Sequence, residues 1–369
     1  MSRPARQASA IVTGAAGQDG YYLVRRLLEE GADVHAVVRE GGRSPDFGTL
    51  PDRGSLTVHR LDINDVAGYG ELVARVRPDE LYNLAGLSSV SLSFADPSAT
   101  WRTNADSVQA LLEALRTGSP ETRFYQSSST EMFGAEPGEA VTHDEESRLA
   151  PQSPYAAAKA AAHLACDAYR RTYGLRVAAG IVSNHESRRR APSFLTRRVV
   201  DHVRMLRSAP ERVRNGPPLT VGNLAAQRDW GFAPDYVDGM VRVARQIEVR
   251  AKTLEHPPDA DVGASYRDYV LGSGELHAVW QLVDRAFTLA ELELDWDRSS
   301  PDPGKWSATF RAAGTSAVVV DPALIRPTDP AAIRADARRA REELGWRPRT
   351  GLDCFLRDML EAGESDLGY

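Results

Sequence analysis

The chain has 369 residues, a net charge of −6 and only two cysteines, Cys166 and Cys354. That length supports a large core and two or three domains, while the acidic balance, with arginines interspersed among acids, argues against a nucleic-acid or anionic-membrane partner. Two cysteines cannot make a disulfide framework, which fits a reducing cytoplasm; no apolar run reaches the about eighteen residues of a span, and no apolar stretch follows Met1-Ser-Arg-Pro-Ala-Arg6 as a secretory signal would need.

In chain order, Ser9-Ala-Ile-Val-Thr13 reads as a short apolar strand, followed by Gly14-Ala15-Ala16-Gly17-Gln18-Asp19-Gly20 and a helical pattern through Leu23, Leu27 and Leu28. Glycines spaced G-x-x-G-x-x-G between a strand and a helix permit a tight turn, let backbone N–H groups approach a pyrophosphate and allow helix to pack on strand. Asp33–Val38 is a second strand ending in Arg39-Glu40, with Arg43 nearby. An acid at this place holds a ribose 2'-hydroxyl and an arginine accommodates a 2'-phosphate, so Arg39 favours NADP and Glu40 favours NAD.

Leu56–Leu61 is a third strand leading to Asp62-Ile63, a place suited to an adenine ring. Glu80–Leu84 is a fourth, followed by the small-residue stretch Ala85-Gly86-Leu87-Ser88. A helix is expected from about Ser98 to Thr117, its stripe Val108, Leu111, Leu112 and Leu115 belonging to the core or to a dimer interface. A fifth strand, ending Phe124-Tyr-Gln-Ser-Ser128, delivers Ser129, Thr130 and Glu131, and Tyr155-Ala-Ala-Ala-Lys159 follows on a helix. Four residues apart, Tyr155 and Lys159 share one helix face, so the ammonium is expected to lower the phenol's pKa and make it a base near neutral pH. Glu131 supplies a second acid/base group, and Ser129 a hydroxyl for a sugar oxygen.

Arg176–Ile181 is a sixth strand, running into Ser183-Asn184-His185-Glu186-Ser187-Arg188-Arg189-Arg190. His185 has no second ligand at usable spacing, so no metal site is expected. The three arginines read either as an exposed charge run or as phosphate contacts. A basic helix then passes through Arg197, Arg198 and Val199, followed by Leu219–Asn223 and Arg228-Asp229-Trp230. Val318–Pro322 is a late strand, and Ala331–Leu344 reads as an Arg- and Glu-rich, solvated helix. The whole predicts an α/β chain: a doubly wound parallel sheet over residues 1–183, with a returning segment near 219–250, and a smaller mixed α/β substrate-binding lobe over 184–369, interleaved with the first.

These residues together resemble the GDP-mannose 4,6-dehydratases, nucleotide-sugar enzymes of the extended short-chain dehydrogenase/reductase superfamily with a Rossmann-type domain. The resemblance spans nearly the whole chain and rests on Thr13–Gly20, Val34-His35 with Arg39, Tyr82–Ala85, Phe124–Gln126, Ser153–Lys159, Asn184–Ser187 with Arg189-Arg190, Gly222–Leu224, Arg228–Gly231 with Asp235–Val237, and Arg326-Pro327 followed by Leu344–Trp346. It implies that Gly14 to Gly20, Arg39, Asp62, Ile63, Leu84, Ala85, Gly86, Leu87, Ser88, Tyr155, Lys159, His185 and Arg190 hold NADP. Ser129, Glu131, Tyr155 and Lys159 would be catalytic, and Ser88, Ser129, Asn184, Arg198, Arg228, Arg326 and Asp329 would face the sugar nucleotide, the arginines toward its diphosphate.

The family usually has Thr at Ser129, Gln at Leu87, a second Arg at Glu40, Pro at Arg188 and Lys at Gln227. Ser129 keeps the hydroxyl; the other four lie near cofactor or substrate. The activity implied is dehydration of GDP-mannose to GDP-4-keto-6-deoxymannose. The alternatives are a dehydratase of a different sugar nucleotide, a 4-epimerase, a decarboxylase, or a non-catalytic NADP-binding sensor. The resemblance also implies a homodimer through the helices near Ser98–Thr117 and Pro154–Tyr173, or a homotetramer through the Arg39–Ser44 loop.

Overall fold

The computed structural model describes residues 7–42, 53–253, 265–325 and 330–363. Seven parallel strands form the main sheet, in the order Tyr269–Leu271, Val177–Val182, Arg123–Ser129, Glu80–Asn83, Ser9–Thr13, Asp33–Val38 and Ser55–Arg60. Ser9–Thr13, Glu80–Asn83 and Val177–Val182 are buried along their whole length, as strands covered on both faces must be. Alternate side chains serve opposite faces. Ala10, Val12, Val34 and Ala36 meet Leu23, Val24 and Leu27 of the helix Gln18–Glu29 and Met240 and Val243 of the helix Ala233–Ala244. On the other face, Ile11, Val37, Leu81 and Phe124 meet Leu72 and Val73, the stripe Val108, Leu111, Leu112 and Leu115, and Ala162 and Cys166 of the helix Pro154–Tyr173. That stripe is core, each residue contributing about 1.5–3 kcal/mol by leaving water.

The strand order reverses between Ser9–Thr13 and Glu80–Asn83, so the crevice opens above Thr13 and Asn83, where ligands of doubly wound sheets sit. A second sheet runs Leu276–Ala278, Gln227–Phe232, Ala332–Ala335, Ala140–His143, with Asn184–Glu186 paired to the far half of Gln227–Phe232. A third has four strands, Leu294–Asp297, Ser307–Phe310, Ser316–Val320 and Leu219–Val221. It packs with the helices Leu195–Ser208, Val279–Thr288 and Leu352–Glu361 around Val199, Val203, Leu282, Phe287, Phe310 and Phe355.

Asp229 ties the two lobes together. Its buried carboxylate accepts bonds from the Ser183 hydroxyl (3.2 Å), the Ser273 N–H and hydroxyl (2.9 and 2.6 Å), Gly274 N–H (2.8 Å) and Ala335 N–H (3.1 Å). Five donors offset the cost of burying its charge.

Three expectations change. The chain returns to the first lobe through the helix Ala233–Ala244 and the strand Tyr269–Leu271, while Leu219–Val221 lies in the far sheet. Ala331–Leu344 is not one solvated helix: Ala332–Ala335 is a strand hydrogen-bonded on both sides, and only Arg338–Leu344 is helical, with Ala340 and Leu344 fully buried. Pairing partners override the helix propensity of an Ala/Arg-rich stretch. The Ser98–Thr117 helix is Pro97–Trp101 and Ser107–Gly118, with a π-helical turn, Arg102–Asp106, between them.

Candidate active site

A cleft of about 930 Å³ opens at the strand reversal and extends to the second lobe. Its floor follows from the glycine turn. Gly14 has φ +65, and a Cβ there would lie 2.8 Å from Ala85 N and 2.9 Å from Leu84 O, so only glycine lets the two strand ends approach this closely. At Gly20 a Cβ would sit 2.2 Å from Gly14 O, which brings the helix Gln18–Glu29 onto the turn with its N-terminus at the cleft. Such a helix end attracts phosphate, and the cradle fits a dinucleotide. Ala16, Gly17, Gln18 and Asp19 line the cleft; Ala15 does not, being fully buried with its N–H on Val37 O (3.1 Å).

A hydrogen-bonded chain crosses the strand ends. Thr13 Oγ1 accepts from Leu84 N and Ala85 N (both 3.1 Å) and donates to Asn83 Oδ1 (2.6 Å). Asn83 Nδ2 donates to Gln126 Oε1 (2.8 Å), and Gln126 Nε2 to Ser127 O (3.0 Å). Ser127 O also receives Lys159 Nζ at 2.8 Å. None of the links Thr13, Asn83 and Gln126 is among the site residues expected from sequence, because polar residues at strand ends carry no periodic signal.

Ser153 caps the helix Pro154–Tyr173 by accepting Ala156 N–H (3.1 Å), Pro154 occupies its first turn, and Tyr155 and Lys159 follow on the face toward the strand Arg123–Ser129. Ser129 stands beside the Tyr155 phenol, close enough to lower its pKa, and Ser129 Oγ accepts Glu131 N–H (3.3 Å), which starts the 3₁₀ turn Thr130–Phe133. Tyr155, Lys159, Ser129 and Glu131 all line the one cleft.

The expected depression of the phenol is not found. Burial pushes Tyr155 up to about 12; Ser129 opposes this, Glu131 adds to it, and Arg190 draws it down. Lys159, itself lowered by burial to about 8, has its Nζ 5.9 Å from the Tyr155 ring centroid and bonded to Ser127 O, so desolvation outweighs charge proximity.

Gly86 is clamped between helices: a Cβ there would meet Asn104 Oδ1 at 2.7 Å and Lys159 Nζ at 3.9 Å. Asn104, on the π-turn, accepts Leu87 N–H and donates to Leu87 O (both 2.9 Å), fixing the cleft-lining stretch Leu84–Ser88. The sequence signal was available: the polar run Arg102–Asp106 interrupts the apolar stripe. At the far end of the floor lie Arg39, Asp62 and Ile63, whereas Glu40 is exposed and does not line the cleft. Arg43 falls outside the described residues.

The loop after Val182 is stitched to the glycine turn. Gln18 Nε2 donates to His185 O (3.0 Å), Ser187 Oγ donates to Gln18 Oε1 (2.8 Å), and His185 stands between Ser183 O (Nδ1, 2.7 Å) and Asp19 Oδ2 (Nε2, 2.9 Å). Both ring nitrogens face acceptors, which fits an imidazolium. Burial would lower the His185 pKa, but Asp19 outweighs it and raises it; burial would raise Asp19, but His185 outweighs that and lowers it. His185 lines the cleft with its polar atoms committed inside the protein.

The three arginines are neither a solvated run nor a single phosphate claw. Arg188 donates to Asp358 Oδ1 (2.9 and 2.6 Å) away from the cleft, Arg189 stacks on Tyr21 at 3.3 Å, and Arg190 lies over Phe194 at 3.7 Å within 3.0 Å of Glu186 Oε2. Arg189 and Arg190 line the cleft.

The opposite wall carries Asn184, Arg198, Gly222, Asn223, Arg228 and Trp230. Arg198 Nη2 donates to Thr220 O (2.8 Å), and Arg228 Nη1 to Gln227 O (2.8 Å) and Pro330 O (3.1 Å), so backbone carbonyls aim both guanidinia. Ser88 joins the floor; Arg326 and Asp329 lie outside the described residues. Among the described residues no group of three or more His, Cys, Asp or Glu could hold a metal ion, and no helix is long and apolar enough to cross a membrane.

The fold recurs in solved structures. DesIV, a dTDP-glucose 4,6-dehydratase from Streptomyces venezuelae with NAD and TYD bound, superposes with a TM-score of 0.71 at 23% identity, covering 95% of each chain. RMD from Pseudomonas aeruginosa, complexed with NADPH, gives 0.70 at 22%, covering 96% of this chain and 98% of that one. Sequence relatives are nearer. A GDP-mannose 4,6-dehydratase of Sinorhizobium fredii is 34% identical, covering 98% of this chain and 97% of its own. The human GDP-mannose 4,6 dehydratase is 31% identical over 96% and 90%. The family profile for GDP-mannose 4,6 dehydratase matches residues 11–359, and the chain therefore belongs to that family of nucleotide-sugar hydro-lyases.

Proposed function

We propose that the protein dehydrates GDP-mannose to GDP-4-keto-6-deoxymannose with NADP as a recycled cofactor. The carrying observation is that Tyr155, Ser129 and Glu131 share one cleft with the glycine cradle, the phenol and the carboxylate close enough that Glu131 raises the Tyr155 pKa. A bound nicotinamide supplies the redox chemistry, taking hydride from the sugar C4 and giving it back at C6.

Tyr155 takes the proton of the 4-hydroxyl as the phenolate, the minority form while burial holds its pKa at about 12, and Ser129, beside the phenol, stabilises charge on the 4-oxygen. The 4-ketone acidifies C5–H. Glu131 removes that proton and passes it to the departing C6 hydroxyl, which leaves as water; a proton then returns to C5. A simple 4-epimerase needs no C5 base, so Glu131 on this cleft supports dehydration over epimerisation. Arg198 and Arg228 are aimed to meet a diphosphate, and Arg39 a 2'-phosphate, which supports NADP over NAD.

Incubation with GDP-, UDP-, dTDP- and CDP-hexoses, each with NADP or NAD, tests the reading. Loss of water from GDP-mannose alone, faster with NADP, is expected; loss of carbon dioxide or no change in mass overturns it. Exposed Leu92, Phe94, Trp101, Leu164 and Tyr173, on Val90–Ala95, Pro97–Trp101 and Pro154–Tyr173, support a homodimer through this face.

A further inference from the structure

One turn beyond Lys159 the same helix carries the partly buried His163, which takes no part in the proton transfers assigned to Tyr155 and Glu131. Its Nδ1 lies 3.3 Å from Ser128 Oγ and its Nε2 3.8 Å from Asp268 Oδ2. Asp268 is held by Arg170 through two bonds of 2.8 Å and by Ala179 N–H at 2.7 Å. A carboxylate calls for a donor, so a neutral ring carries its proton on Nε2 and leaves Nδ1 to accept the Ser128 O–H. Burial favours that neutral form, against the pull of Asp268 and with the help of Arg170. Asp167, on its own helix, also acts on it, in the same sense as Asp268.

The pattern of ties is regular. Three consecutive residues at the end of Arg123–Ser129 each face one of three helix residues spaced by four: Ser127 O is bonded to Lys159, Ser128 Oγ to His163, and Ser129 stands beside Tyr155. Two of these contacts are made by reaction groups. The third is made by His163, which does not line the cleft, yet it ties down the strand end on which the other two depend. A partly buried histidine gives up hydration that leucine would not need, so its ring nitrogens must find partners, as they do at Ser128 and Asp268.

We infer that His163 is a positioning residue: by holding Ser128 it sets the register of the strand end against the helix, so that Lys159 meets the Ser127 carbonyl and Tyr155 the Ser129 hydroxyl. This rests on the dehydratase reading, whose sugar 4-oxygen is the group that Ser129 and Tyr155 must reach together. In His163→Asn the shorter amide offers an acceptor near the place of Nδ1 and restores the Ser128 bond. In His163→Gln the longer amide reaches as far as Nε2 and restores only the Asp268 side.

The test compares full-length wild type with His163→Leu, His163→Asn, His163→Gln, Ser128→Ala and the His163→Leu/Ser128→Ala double variant, on the sugar nucleotide that the wild type dehydrates. His163→Leu and Ser128→Ala should each lower kcat on the order of tenfold or more, as a small misplacement of reacting groups does, with KM little changed. The double variant should be no worse than the worse single one, His163→Asn should recover most of kcat, and His163→Gln should not. Because the Lys159 ammonium is seated on the Ser127 carbonyl, the pH profile of kcat should shift in the two damaging variants and return in His163→Asn. A kcat within about twofold of wild type in both, fully multiplicative losses in the double, or equal recovery by Asn and Gln overturns the inference. If His163→Leu does not fold, Ser128→Ala and the Asn and Gln variants decide it. A wild type that removes water from no sugar nucleotide removes the function and this inference together; a working wild type with indifferent variants removes only the inference.

Discussion

The two walls of the cleft are built differently. On the sheet side every proposed reaction group hangs from the C-terminal ends of parallel strands or from a twenty-residue helix, and the cleft floor is cross-tied: Lys159 to Ser127, Glu131 N–H to Ser129, Leu87 to Asn104. On the lobe side Arg198, on the helix Leu195–Ser208, is aimed by the Thr220 carbonyl, and Arg228, on the strand Gln227–Phe232, by the Gln227 and Pro330 carbonyls. The proposed chemistry, which tolerates little displacement, thus sits on the wall of parallel strands and a long helix, and the proposed diphosphate contacts on side chains aimed by backbone carbonyls.

The largest effect should come from the sheet side. Tyr155→Phe removes the proton acceptor at C4 and should lower kcat about 10²–10⁴-fold with cofactor binding intact, by steady-state assay and nucleotide titration. Glu131→Gln should stop later, so rapid mixing should show reduced nicotinamide accumulating without loss of water.

Next comes the base of the same sheet. Glu80 is buried and bonded to Arg123 (2.8 Å), Arg245 (2.6 and 2.9 Å) and the Tyr82 hydroxyl (2.9 Å). Glu80→Gln should cost about 1.5–3 kcal/mol in urea unfolding, because the partly buried Arg123 and Arg245 lose their shared carboxylate and keep only Glu248 and Glu30, yet kcat of the folded fraction should hold. A matching fall in kcat would mean that the two ends of the sheet are not separable.

At the rim, Arg39→Ala should cost about 1.5–3 kcal/mol of NADP affinity and leave NAD affinity unchanged, by calorimetry. Gly14→Ala, forced into a left-handed backbone against Leu84 and Ala85, should lose at least about 1–2 kcal/mol of stability. The smallest effect lies in the clasp between the walls. Asp19, lowered, contributes stability above the ordinary carboxylate range and loses it as pH falls through its depressed value. His185, raised, contributes below the ordinary imidazole range and loses it as pH rises through its elevated value. The pair therefore stabilises most in the window between, and His185→Asn should flatten the alkaline side of a melting-temperature profile.

The same contrast decided what could be read without coordinates. Strands buried on both faces announce themselves as apolar runs, and the turn at Gly14 and the pair Tyr155/Lys159 follow from backbone sterics and helical periodicity, which are local. The second lobe is assembled from three- and four-residue strands such as Leu219–Val221 and Ala332–Ala335, whose pairing partners lie far away in sequence. The Tyr155 pKa could not be read either: a four-residue spacing tells of a nearby ammonium but not of the desolvation around the phenol. Arg188, Arg189 and Arg190 looked alike in sequence and acquired different partners only through Asp358, Tyr21 and Glu186.

The amides of Leu84 and Ala85 have a reach beyond their own turn. Both point at the Thr13 oxygen, so its proton can go only to Asn83; that choice orients the Asn83 amide, which orients Gln126 in turn, until a donor arrives at the carbonyl that Lys159 shares. Positions 13, 83 and 126 consequently form one heritable word rather than three letters. A lineage that alters any of them must rewrite the others to keep the amine seated.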